Sequence, residues 1–400
     1  MLADDRTGAH ETAGACADVG CGPVPVVSWS GLEFNVHLTR IARNGDEFGS
    51  RVLVIDLATR HLEPFAVAER IHTCQRLVGE TDSTSEADSM EIRLAHKLDS
   101  TLRGNWATEI VTMQRHRVGP VIVVPAFPVA QRACVGGVVL DHGVPVHEGP
   151  TGADARQPLR SSEPAHHLRS VGATDVANLP TIESLRRWLR RRTAGIAVCD
   201  AASPEDLAGL GAVWSEHPTA TFAGTAASVA AAANALIGKT RQAVVRRPVL
   251  PVDPPTLLVC GSLHPAVRRQ LSLLKRRIDG TAFASSTDII ATPLADTAPI
   301  VAEVAERHAT ELADSARSAM AKRRYRTVIV LGGDTTAAIL GDDSMVIHGT
   351  LATGAAWGIR DDIVIVTRPG GFGDDDALHE LIVAHDGTMP ANFPAAQPER

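Results

Sequence analysis

Short apolar segments alternate with helical segments along most of the chain. The apolar segments are rich in β-branched residues, and turn-forming Gly, Asn or Asp residues bound them. Strands and helices that alternate at this length predict parallel strands joined by crossover helices, because parallel neighbours cannot be connected by a tight turn. The sequence therefore predicts an α/β fold with a mainly parallel sheet that helices cover on both faces.

In the N-terminal half, six apolar runs predict strands, at residues 25–29, 51–55, 90–95, 118–124, 196–200 and 221–223. Ahead of them, Met1–Ala3 leaves room only for a stunted first strand, unless that strand begins upstream. Helices are predicted at residues 11–18, 34–42, 64–78, 105–115, 182–192, 204–214 and 226–236. The Gly- and Pro-rich residues 143–164 predict an excursion from the sheet.

A Pro-rich segment divides the chain. Four prolines between residues 248 and 255 can continue neither a helix nor a central strand. We therefore predict a first domain at residues 1–245, a linker at 246–255 and a second domain at 256–388, each domain with a mainly parallel sheet flanked by helices. Residues 389–400 contain three prolines and are predicted to be disordered.

Composition limits the partners and the compartment. The net charge of −7 argues against a nucleic-acid partner. The six cysteines include no C-x-x-C pair, so free thiols are predicted instead of a zinc site or disulfides. No segment reaches the about 18 apolar residues of a membrane span, and the N-terminus has no secretion-signal layout. These features predict a cytoplasmic protein without a membrane partner.

In the second domain, three predicted strands, at residues 256–260, 327–331 and 363–367, each run into a turn that contains glycine. Helices are predicted at residues 265–278 and 307–324 and from residue 337 onwards. Backbone N–H groups in such turns, and the positive end of a following helix, bind phosphate groups. The turns therefore predict a nucleotide site, with candidate residues Gly261, Ser262, Gly332, Gly333, Asp334, Thr335, Gly370, Gly371 and Gly373, and with Gly354 in a fourth loop that is predicted to be flexible.

A polar segment, residues 96–105, follows the strand predicted at residues 90–95. It combines cations that bind acid groups, a carboxylate that can accept a proton, hydroxyls that form hydrogen bonds and a glycine that admits a close ligand. A solvated turn is the simpler interpretation, but it has no need for all of these groups together. We therefore predict a loop that binds an acidic molecule, with candidate residues Lys97, Asp99, Ser100, Thr101, Arg103 and Asn105.

The paired acids Asp4 and Asp5 stand before a predicted helix. Asp5 or Thr7 could cap that helix, which would make the pair structural. Alternatively, one aspartate orients or deprotonates a substrate hydroxyl. The sequence leaves both hypotheses open.

Several separated segments resemble the four-carbon acid sugar kinase family, which comprises ATP-dependent kinases of threonate, erythronate and 3-oxo-tetronate type acids. Residues 97–105 match the family signature Lys-x-Asp-Ser-Thr-Leu-Arg-Gly-Asn at every fixed position. Residues 3–9 resemble Ala-Asp-Asp-Leu-Thr-Gly-Ala, and residues 125–128 resemble Pro-Ala-Phe-Pro. Residues 332–335 and 368–373 resemble Gly-Gly-Glu-Thr and Lys-x-Gly-x-Phe-Gly. The resemblance covers nearly the whole chain.

This resemblance implies a sugar-acid-binding N-terminal domain, a nucleotide-binding C-terminal domain and an active site in the cleft between them. It implies transfer of the γ-phosphoryl group of ATP, with Mg²⁺, to a hydroxyl of a small polyhydroxy acid. Lys97 and Arg103 would hold the substrate carboxylate. The implied catalytic residues are Asp4, Asp5 and Asp99, and the substrate-binding set also contains Arg6, Ser100, Thr101 and Asn105. No metal ligand is assigned, and a homodimer is left open.

Differences from the family pattern affect the substrate more than the reaction. Arg6 replaces a leucine, Arg368 a lysine and Asp334 a glutamate. A kinase of the same family that acts on a hydroxy amino acid or a specialised metabolite is therefore an alternative. A non-catalytic sensor that binds ATP or a sugar acid is a second alternative. A phosphate-binding hydrolase or lyase, which would form product without ATP, is a third.

Overall fold

The computed structural model describes residues 1–29, 50–83, 92–116, 119–150, 152, 158–237, 255–279, 286–293 and 302–383. The helix predicted at residues 34–42, residues 246–254 of the predicted linker and the predicted tail lie outside the described residues. The division into two domains at that linker stays a prediction.

Strands and helices alternate along the described chain, as the apolar pattern predicts. In chain order, the strands β1–β17 are Leu2–Ala3, Val24–Ser28, Val54–Asp56, Ala95–Lys97, Val121–Val124, Arg132–Val135, Val138–Asp141, Val144–Pro145, Val176–Leu179, Ile196–Cys199, Thr221–Gly224, Thr256–Cys260, Thr287–Ala291, Thr327–Leu331, Met345–Ala352, Ala355–Arg360 and Ile363–Arg368. The helices α1–α11 are Arg6–Cys16, Pro64–Ser83, Trp106–His116, Pro164–Ser170, Ile182–Leu189, Pro204–Ser215, Ala226–Ile237, Pro265–Ile278, Ala302–Lys322, Gly333–Leu340 and Ala377–Val383. A π-helical turn, Ala17–Cys21, extends α1, and a 3₁₀ turn spans Pro128–Ala130.

One sheet contains 14 strands, in the order β13-β12-β14-β17-β16-β15-β2-β3-β1-β4-β11-β5-β10-β9. Neighbours are parallel except around β15 and β16, which pair antiparallel with each other and with β2 and β17. The predicted α/β fold with a mainly parallel sheet is confirmed. The strands of the two halves are continuous, because Val26 of β2 pairs with Met345 of β15. Strands β6, β7 and β8 form a separate antiparallel sheet, so the predicted excursion begins earlier, at Arg132.

Several strands in both halves of the sheet that have a neighbour on each side are buried on both faces. Every residue of Val121–Val124, Ile196–Cys199 and Thr256–Cys260 is buried. This burial explains why these strands are continuous runs of apolar residues, without the alternation of a half-exposed strand. It also explains why the sequence pattern located them well.

Helix α1 connects the sheet to the candidate site. Ten of its 11 residues are buried, and it packs against α7 and against β15 and β16. A Cβ on Gly14 would lie 2.9 Å from the carbonyl oxygen of Gly349 in β15, so the small side chains of α1 permit this close approach. Asp5 caps the helix by accepting a hydrogen bond from the Gly8 N–H over 2.8 Å. The N-terminus of α1 is thereby fixed at the carboxyl end of β1.

Strand β4 begins later than the sequence predicts. Of the predicted range 90–95, residues 90 and 91 lie outside the described residues and residues 92–94 are not in a strand; β4 starts at Ala95 and includes His96 and Lys97. Both neighbouring strands pair at this position, with Leu2 of β1 opposite His96 and Gly224 of β11 opposite Lys97. Long-range pairing therefore overrides the polar character of these two residues.

Two glycine segments of the C-terminal half also differ from the prediction. Helix α10 begins at Gly333 instead of residue 337, directly after Gly332, whose φ of 121° suits a glycine. Gly349 lies within β15, and Gly354 lies in the tight turn between β15 and β16. The predicted flexible loop around residues 348–354 is therefore wrong, because these residues form an antiparallel hairpin.

The described helices are too short or too polar to span a lipid bilayer. All six cysteines lie in described segments, where they are buried and form no disulfide bond.

Candidate active site

The carboxyl ends of three neighbouring strands bring together two motifs of the N-terminal half. The first motif is the acid pair Asp4 and Asp5, and the second is the polar segment 96–105. Strand β1 lies between β3 and β4, with Ala3 opposite Asp56 on one side and Lys97 on the other. Asp4 and Asp5 follow β1 directly, so they emerge at the same edge of the sheet as Lys97. Open α/β sheets bind their ligands at this edge.

Asp4 and Asp5 contact two cations. Arg60 Nε donates to Asp4 Oδ2 over 2.7 Å, and Arg60 Nη1 donates to Asp5 Oδ2 over 2.6 Å. Burial alone would raise the pKa of Asp4, but Arg60 and Lys97 outweigh burial and hold this pKa below its usual value. Asp4 is therefore an ionised partner of Arg60, which makes it a weak proton acceptor.

Lys97 is held more loosely than Arg60. Its Nζ lies 3.5 Å from Asp4 Oδ1 and 4.0 Å from Asp5 Oδ1, and both distances exceed a hydrogen bond. Burial alone would lower the pKa of Lys97, but Asp4 and Asp5 reverse this effect and raise it. A buried ammonium group that keeps its charge and makes no close hydrogen bond to these carboxylates can bind an anionic ligand.

Asp99 organises the loop after β4. Its Oδ2 accepts hydrogen bonds from Thr101 Oγ1 (2.5 Å), the Arg103 backbone N–H (3.3 Å) and Arg103 Nε (3.0 Å). Burial would raise the pKa of Asp99, but Arg103, Arg60 and Lys97 hold it well below its usual value. These contacts favour a structural role for Asp99 over the predicted catalytic one, since its donors are already supplied by the loop.

The same loop packs closely against Asp4. Leu102 and Gly104 have positive φ angles of 61° and 88°. A Cβ on Gly104 would lie 3.0 Å from Asp4 Oδ2, so a side chain here would be strained and crowded. Ser100 faces another segment, because its Oγ accepts a hydrogen bond from Arg132 Nη1 over 2.7 Å.

Arg6 and Asn105, both predicted to bind substrate, have hydrogen-bond partners within the fold. Arg6 Nε pairs with Asp56 Oδ2 over 2.7 Å, and the guanidinium also donates to the carbonyl oxygens of Asp343 and Gly341. Buried polar groups need such partners within the fold. Arg6 thereby joins the two halves of the chain.

Asn105 fixes the segment that carries Arg60. Its Nδ2 donates to the carbonyl oxygens of Thr59 over 2.7 Å and of Leu62 over 2.8 Å. The side-chain amide of Asn105 therefore donates hydrogen bonds to backbone carbonyl groups on both sides of Arg60. Asn105 thereby fixes the backbone that carries Arg60, the partner of Asp4.

The predicted glycine turns lie side by side because their strands are neighbours in the sheet. Strands β12, β14 and β17 are adjacent and parallel, so the turns after them share one edge. A Cβ on Gly261 would lie 1.8 Å from Thr335 Oγ1, and a Cβ on Gly370 would lie 1.9 Å from Ser262 Oγ. This packing requires glycine and brings the N-termini of α8 and α10 to one location, as a phosphate site needs.

Gly354 and Gly373 differ from the other predicted nucleotide residues. A Cβ on Gly354 would lie 3.0 Å from the Phe372 ring, so this glycine serves the packing of a hairpin turn. Gly373 has a φ of 80°, and its neighbours Phe372 and Asp374 bind Gln270 through their carbonyl oxygens. Both glycines therefore support the conformation of the turn after β17, which contains Phe372.

Segments of the N-terminal half meet the glycine turns at Asp5 and at Phe372. A Cβ on Gly333 would lie 2.7 Å from Asp5 Oδ2. The Phe372 ring lies edge-on to Phe127, with 5.8 Å between centroids, and the Arg132 guanidinium lies 5.0 Å from the Phe372 centroid. Residues from both halves of the chain therefore lie together at this edge of the sheet.

A magnesium ion could be shared between Asp334 and the phosphates of a nucleotide. Within the described segments, no three His, Cys, Asp or Glu side chains gather as a metal cluster. Mg²⁺ usually takes one or two carboxylates and completes its shell with phosphates and water. Asp334 fits this use: it lies in the first turn of α10, its side chain is 46% exposed, and its Oδ1 is 3.5 Å from His61 Nε2.

Three charged residues at this site were not predicted from the sequence: Arg60, Arg132 and Glu11. Arg60 follows β3 at the edge where Asp4 follows β1, so the strand order would have revealed it. Glu11 lies one helical turn beyond Gly8, which the spacing rule for helices could have indicated. Arg132 lies in β6, outside the main sheet, and no local pattern marks its contact with Ser100.

Two family models match consecutive parts of the chain. The model described as the sugar-binding N-terminal domain matches residues 1–233, and the model described as the nucleotide-binding C-terminal domain matches residues 287–378. The curated relatives that match are named D-threonate and D-erythronate kinases. The chain belongs to the four-carbon acid sugar kinase family.

Identity to members of this family is modest. A D-threonate kinase from Cupriavidus necator is 28% identical over 291 residues, which are 69% of this chain and 63% of the relative. A D-threonate kinase from Salmonella typhimurium is 24% identical over 339 residues, 81% of this chain and 70% of the relative. A D-erythronate kinase from Heliobacterium modesticaldum is 27% identical over 222 residues, 52% and 46% respectively. The match therefore spans less than two thirds of the Cupriavidus protein's own length.

Solved structures share the fold over nearly the whole chain. A Salmonella typhimurium LT2 protein described as a candidate tRNA synthase has a TM-score of 0.69 at 16% identity and covers 94% of this chain and 97% of its own. A Haemophilus influenzae protein of the DUF1537 family has a TM-score of 0.62 at 16% identity and covers 95% of this chain and 98% of its own. At this identity, the likeness concerns the fold alone.

Proposed function

We propose that this protein transfers the γ-phosphoryl group of ATP to a hydroxyl group of a four-carbon acid sugar such as D-threonate or D-erythronate. The observation that carries the proposal is the closeness of Asp5 to Gly333, since a Cβ on Gly333 would lie 2.7 Å from Asp5 Oδ2. It brings the turn after β1, which lies beside Lys97, against the glycine turn before α10. A kinase needs this proximity, because the acceptor oxygen and the transferred group must lie about 3–3.5 Å apart. The named relatives make four-carbon acids the first substrates to test.

We assign the carboxylate of the substrate to Lys97 and Arg103. Lys97 is 3% exposed and keeps its charge beside Asp4 and Asp5. The Arg103 side chain is 29% exposed, and Asp99 accepts hydrogen bonds from its Nε and Nη2, which orients the guanidinium beside the site. Asp5 is suited to orient the acceptor hydroxyl, since it faces both Lys97 and Gly333.

We assign the phosphates of ATP to the glycine turns and to the N-termini of α8 and α10. Gly332 and Gly333 carry the backbone closest to Asp5, so they would hold the group that is transferred. When bound, Mg²⁺ neutralises charge on the phosphates, with Asp334 as its carboxylate from this chain. Such a reaction fits the predicted cytoplasmic location, and the homodimer stays a prediction.

Adding a methyl group at Gly261 is expected to weaken ATP binding by about tenfold or more. The new Cβ would collide with Thr335 Oγ1 at 1.8 Å, so the first turn of α10 must move. The double variant Gly261→Ala with Thr335→Ala should regain part of the affinity, because it removes the colliding hydroxyl. Calorimetric titration with ATP measures both variants. Gly79→Ala is the control, since nothing lies within 4 Å of a Cβ there; equal affinity in all variants would contradict a nucleotide site in these turns.

Release of ADP in the presence of candidate acids tests the proposed function. The panel contains D-threonate, D-erythronate, their stereoisomers and several hydroxy amino acids, and mass spectrometry identifies the phosphorylated product. We expect turnover with a four-carbon acid, at a kcat of about 1–100 s⁻¹. ATP binding without turnover on any acid would favour the sensor alternative. Product formation without ATP would favour a hydrolase or lyase.

A further inference from the structure

Glu11 is a buried carboxyl group to which the fold gives incomplete contacts. It is 5% exposed on α1, and within the described part of the chain its Oε1 has no hydrogen-bond partner. A buried acceptor without a partner destabilises the native state. The chain therefore keeps a hydrogen-bond acceptor here that a ligand's hydroxyl group can satisfy.

Helical spacing places Glu11 on the side of α1 that meets Lys97. Residues three and four apart share one face of a helix, so Glu11 lies one turn beyond Thr7 and Gly8. Gly8 is the point where α1 meets the substrate loop, because a Cβ on Gly8 would lie 2.3 Å from Lys97 Nζ. The charged groups that act on Glu11 come from three other segments and are Lys97 and Asp99 at the end of β4 and after it, Asp5 before α1, and Arg132 in β6.

The protonation behaviour of Glu11 differs from that of its neighbours. Burial raises the pKa of Glu11 to about 7, with Asp99 and Asp5 raising it further and with Lys97 and Arg132 opposing the shift. Burial acts on Asp4 and Asp99 as well, but there the adjacent cations reverse it and lower both pKa values. A general base is most effective when its pKa lies near the working pH. Of these three carboxyl groups, Glu11 meets that condition.

We propose that Glu11 is the general base that takes the proton from the acceptor hydroxyl of the substrate, an inference that rests on the proposed kinase function. The hydroxyl O–H bond breaks, its proton passes to Glu11, and an electron pair of the oxygen forms the bond to the γ-phosphorus. The bond between the γ-phosphorus and the bridging oxygen breaks, and its electron pair leaves with ADP. Glu11 then releases its proton to water. Asp5 orients the hydroxyl without accepting the proton.

Glu11→Gln tests this role because it keeps the size of the side chain and removes the base. We expect kcat to fall by about 100-fold or more, with both KM values changed by less than about threefold. In the wild-type protein, kcat/KM should rise with pH through about 7, and this limb should be absent in Glu11→Gln. Glu11→Asp should keep the limb at a lower kcat. Glu183→Gln is the matched control, because it removes a carboxyl group that is 63% exposed and pairs with Arg190. It should leave kcat and the pH dependence of kcat/KM unchanged.

Thermal unfolding gives a readout that does not depend on turnover. The folded pKa of Glu11, about 7, lies above the unfolded value of 4.5. The contribution of Glu11 to stability is therefore complete below pH 4.5 and is lost as the pH rises through 7. Glu11→Gln cannot ionise, so its Tm should exceed that of the wild type at pH 8, and the difference should shrink towards pH 5.

The outcomes separate the inference from the proposed function. Glu11 is not the base if Glu11→Gln keeps its kcat within about threefold of the wild type, or if its kcat/KM still rises with pH through about 7. The kinase function stands in either case. A Tm difference that is independent of pH would overturn the inference as well, because Glu11 would then not titrate near neutrality. If the wild-type protein turns over none of the acids, the proposed function fails and the base role fails with it.

Discussion

Replacing Lys97 with methionine is expected to lower kcat/KM for the acid substrate by about 100- to 1,000-fold, with a small change in Tm. The reason is that the two cations beside Asp4, Arg60 and Lys97, lie at different distances from its carboxylate. Arg60 contacts Asp4 Oδ2 at 2.7 Å, whereas Lys97 Nζ stays 3.5 Å from Asp4 Oδ1. The short contact stabilises the fold, and the longer one leaves the ammonium group for the substrate.

The balance of burial and charge supports a small effect on stability. Methionine matches the length of lysine and removes the cost of burying an ammonium group, which offsets part of the lost attraction to Asp4 and Asp5. Enzyme kinetics should show the loss in kcat/KM for the acid, while calorimetry shows an unchanged Kd for ATP. Lys322→Met, at an exposed position near the end of α9, is the control for the substitution type. If Lys97→Met unfolds the protein, the loop is structural and the assignment of the substrate carboxylate fails.

The sequence predicted the buried strands well because their signal is local. Thr256–Cys260 and Thr327–Leu331 are found at their predicted bounds, since a strand buried on both faces is a nearly continuous apolar run, broken here only by the threonine at the start of each strand. Strand β4 was misplaced because pairing with β1 and β11, far away in sequence, recruits the polar residues His96 and Lys97. The same limit applies to the pairing of β2 with β15, which no local pattern indicates.

The sequence predicted the composition of the candidate site better than the direction of its side chains. Asp4, Asp5 and Lys97 lie together, because their strands end at one edge of the sheet. Arg6 was assigned to substrate although its partners are Asp56 and two carbonyl groups of the C-terminal half. A residue type reveals which bonds a side chain can make, whereas the choice among partners depends on tertiary contacts.

Arg60 illustrates what such partners contribute. It follows β3, it belongs to neither of the two N-terminal motifs, and it still binds both aspartates of the first motif. Its Nη2 also lies 3.9 Å from Asp99 in the second motif. Asn105 of the second motif donates hydrogen bonds to the backbone on both sides of Arg60. The two motifs are thus coupled through a residue that neither contains.

Replacing Arg60 with methionine is expected to lower the free energy of unfolding by about 3–5 kcal/mol at pH 7, because it leaves the fully buried Asp4 with only the distant charge of Lys97 among these cations. The control is Arg186→Met, which breaks an equally short pair with Glu216 (2.6 Å, side chains 35% and 45% exposed) and should cost at most about 1 kcal/mol. Urea denaturation measures both variants.

The pH dependence and a second substitution identify the cause of the Arg60 effect. Arg60 and Lys97 outweigh burial and lower the pKa of Asp4 below 3.8, so the stability from this contact is present above pH 3.8 and is lost as the pH falls through the lower folded value. The difference between wild type and Arg60→Met should therefore narrow in acid. Asp4→Asn in the Arg60→Met background should recover part of the loss at pH 7, because it removes the uncompensated charge. A loss in Arg60→Met no larger than in Arg186→Met would mean that the buried and the exposed pair contribute equally here, which would contradict the structural role of Arg60.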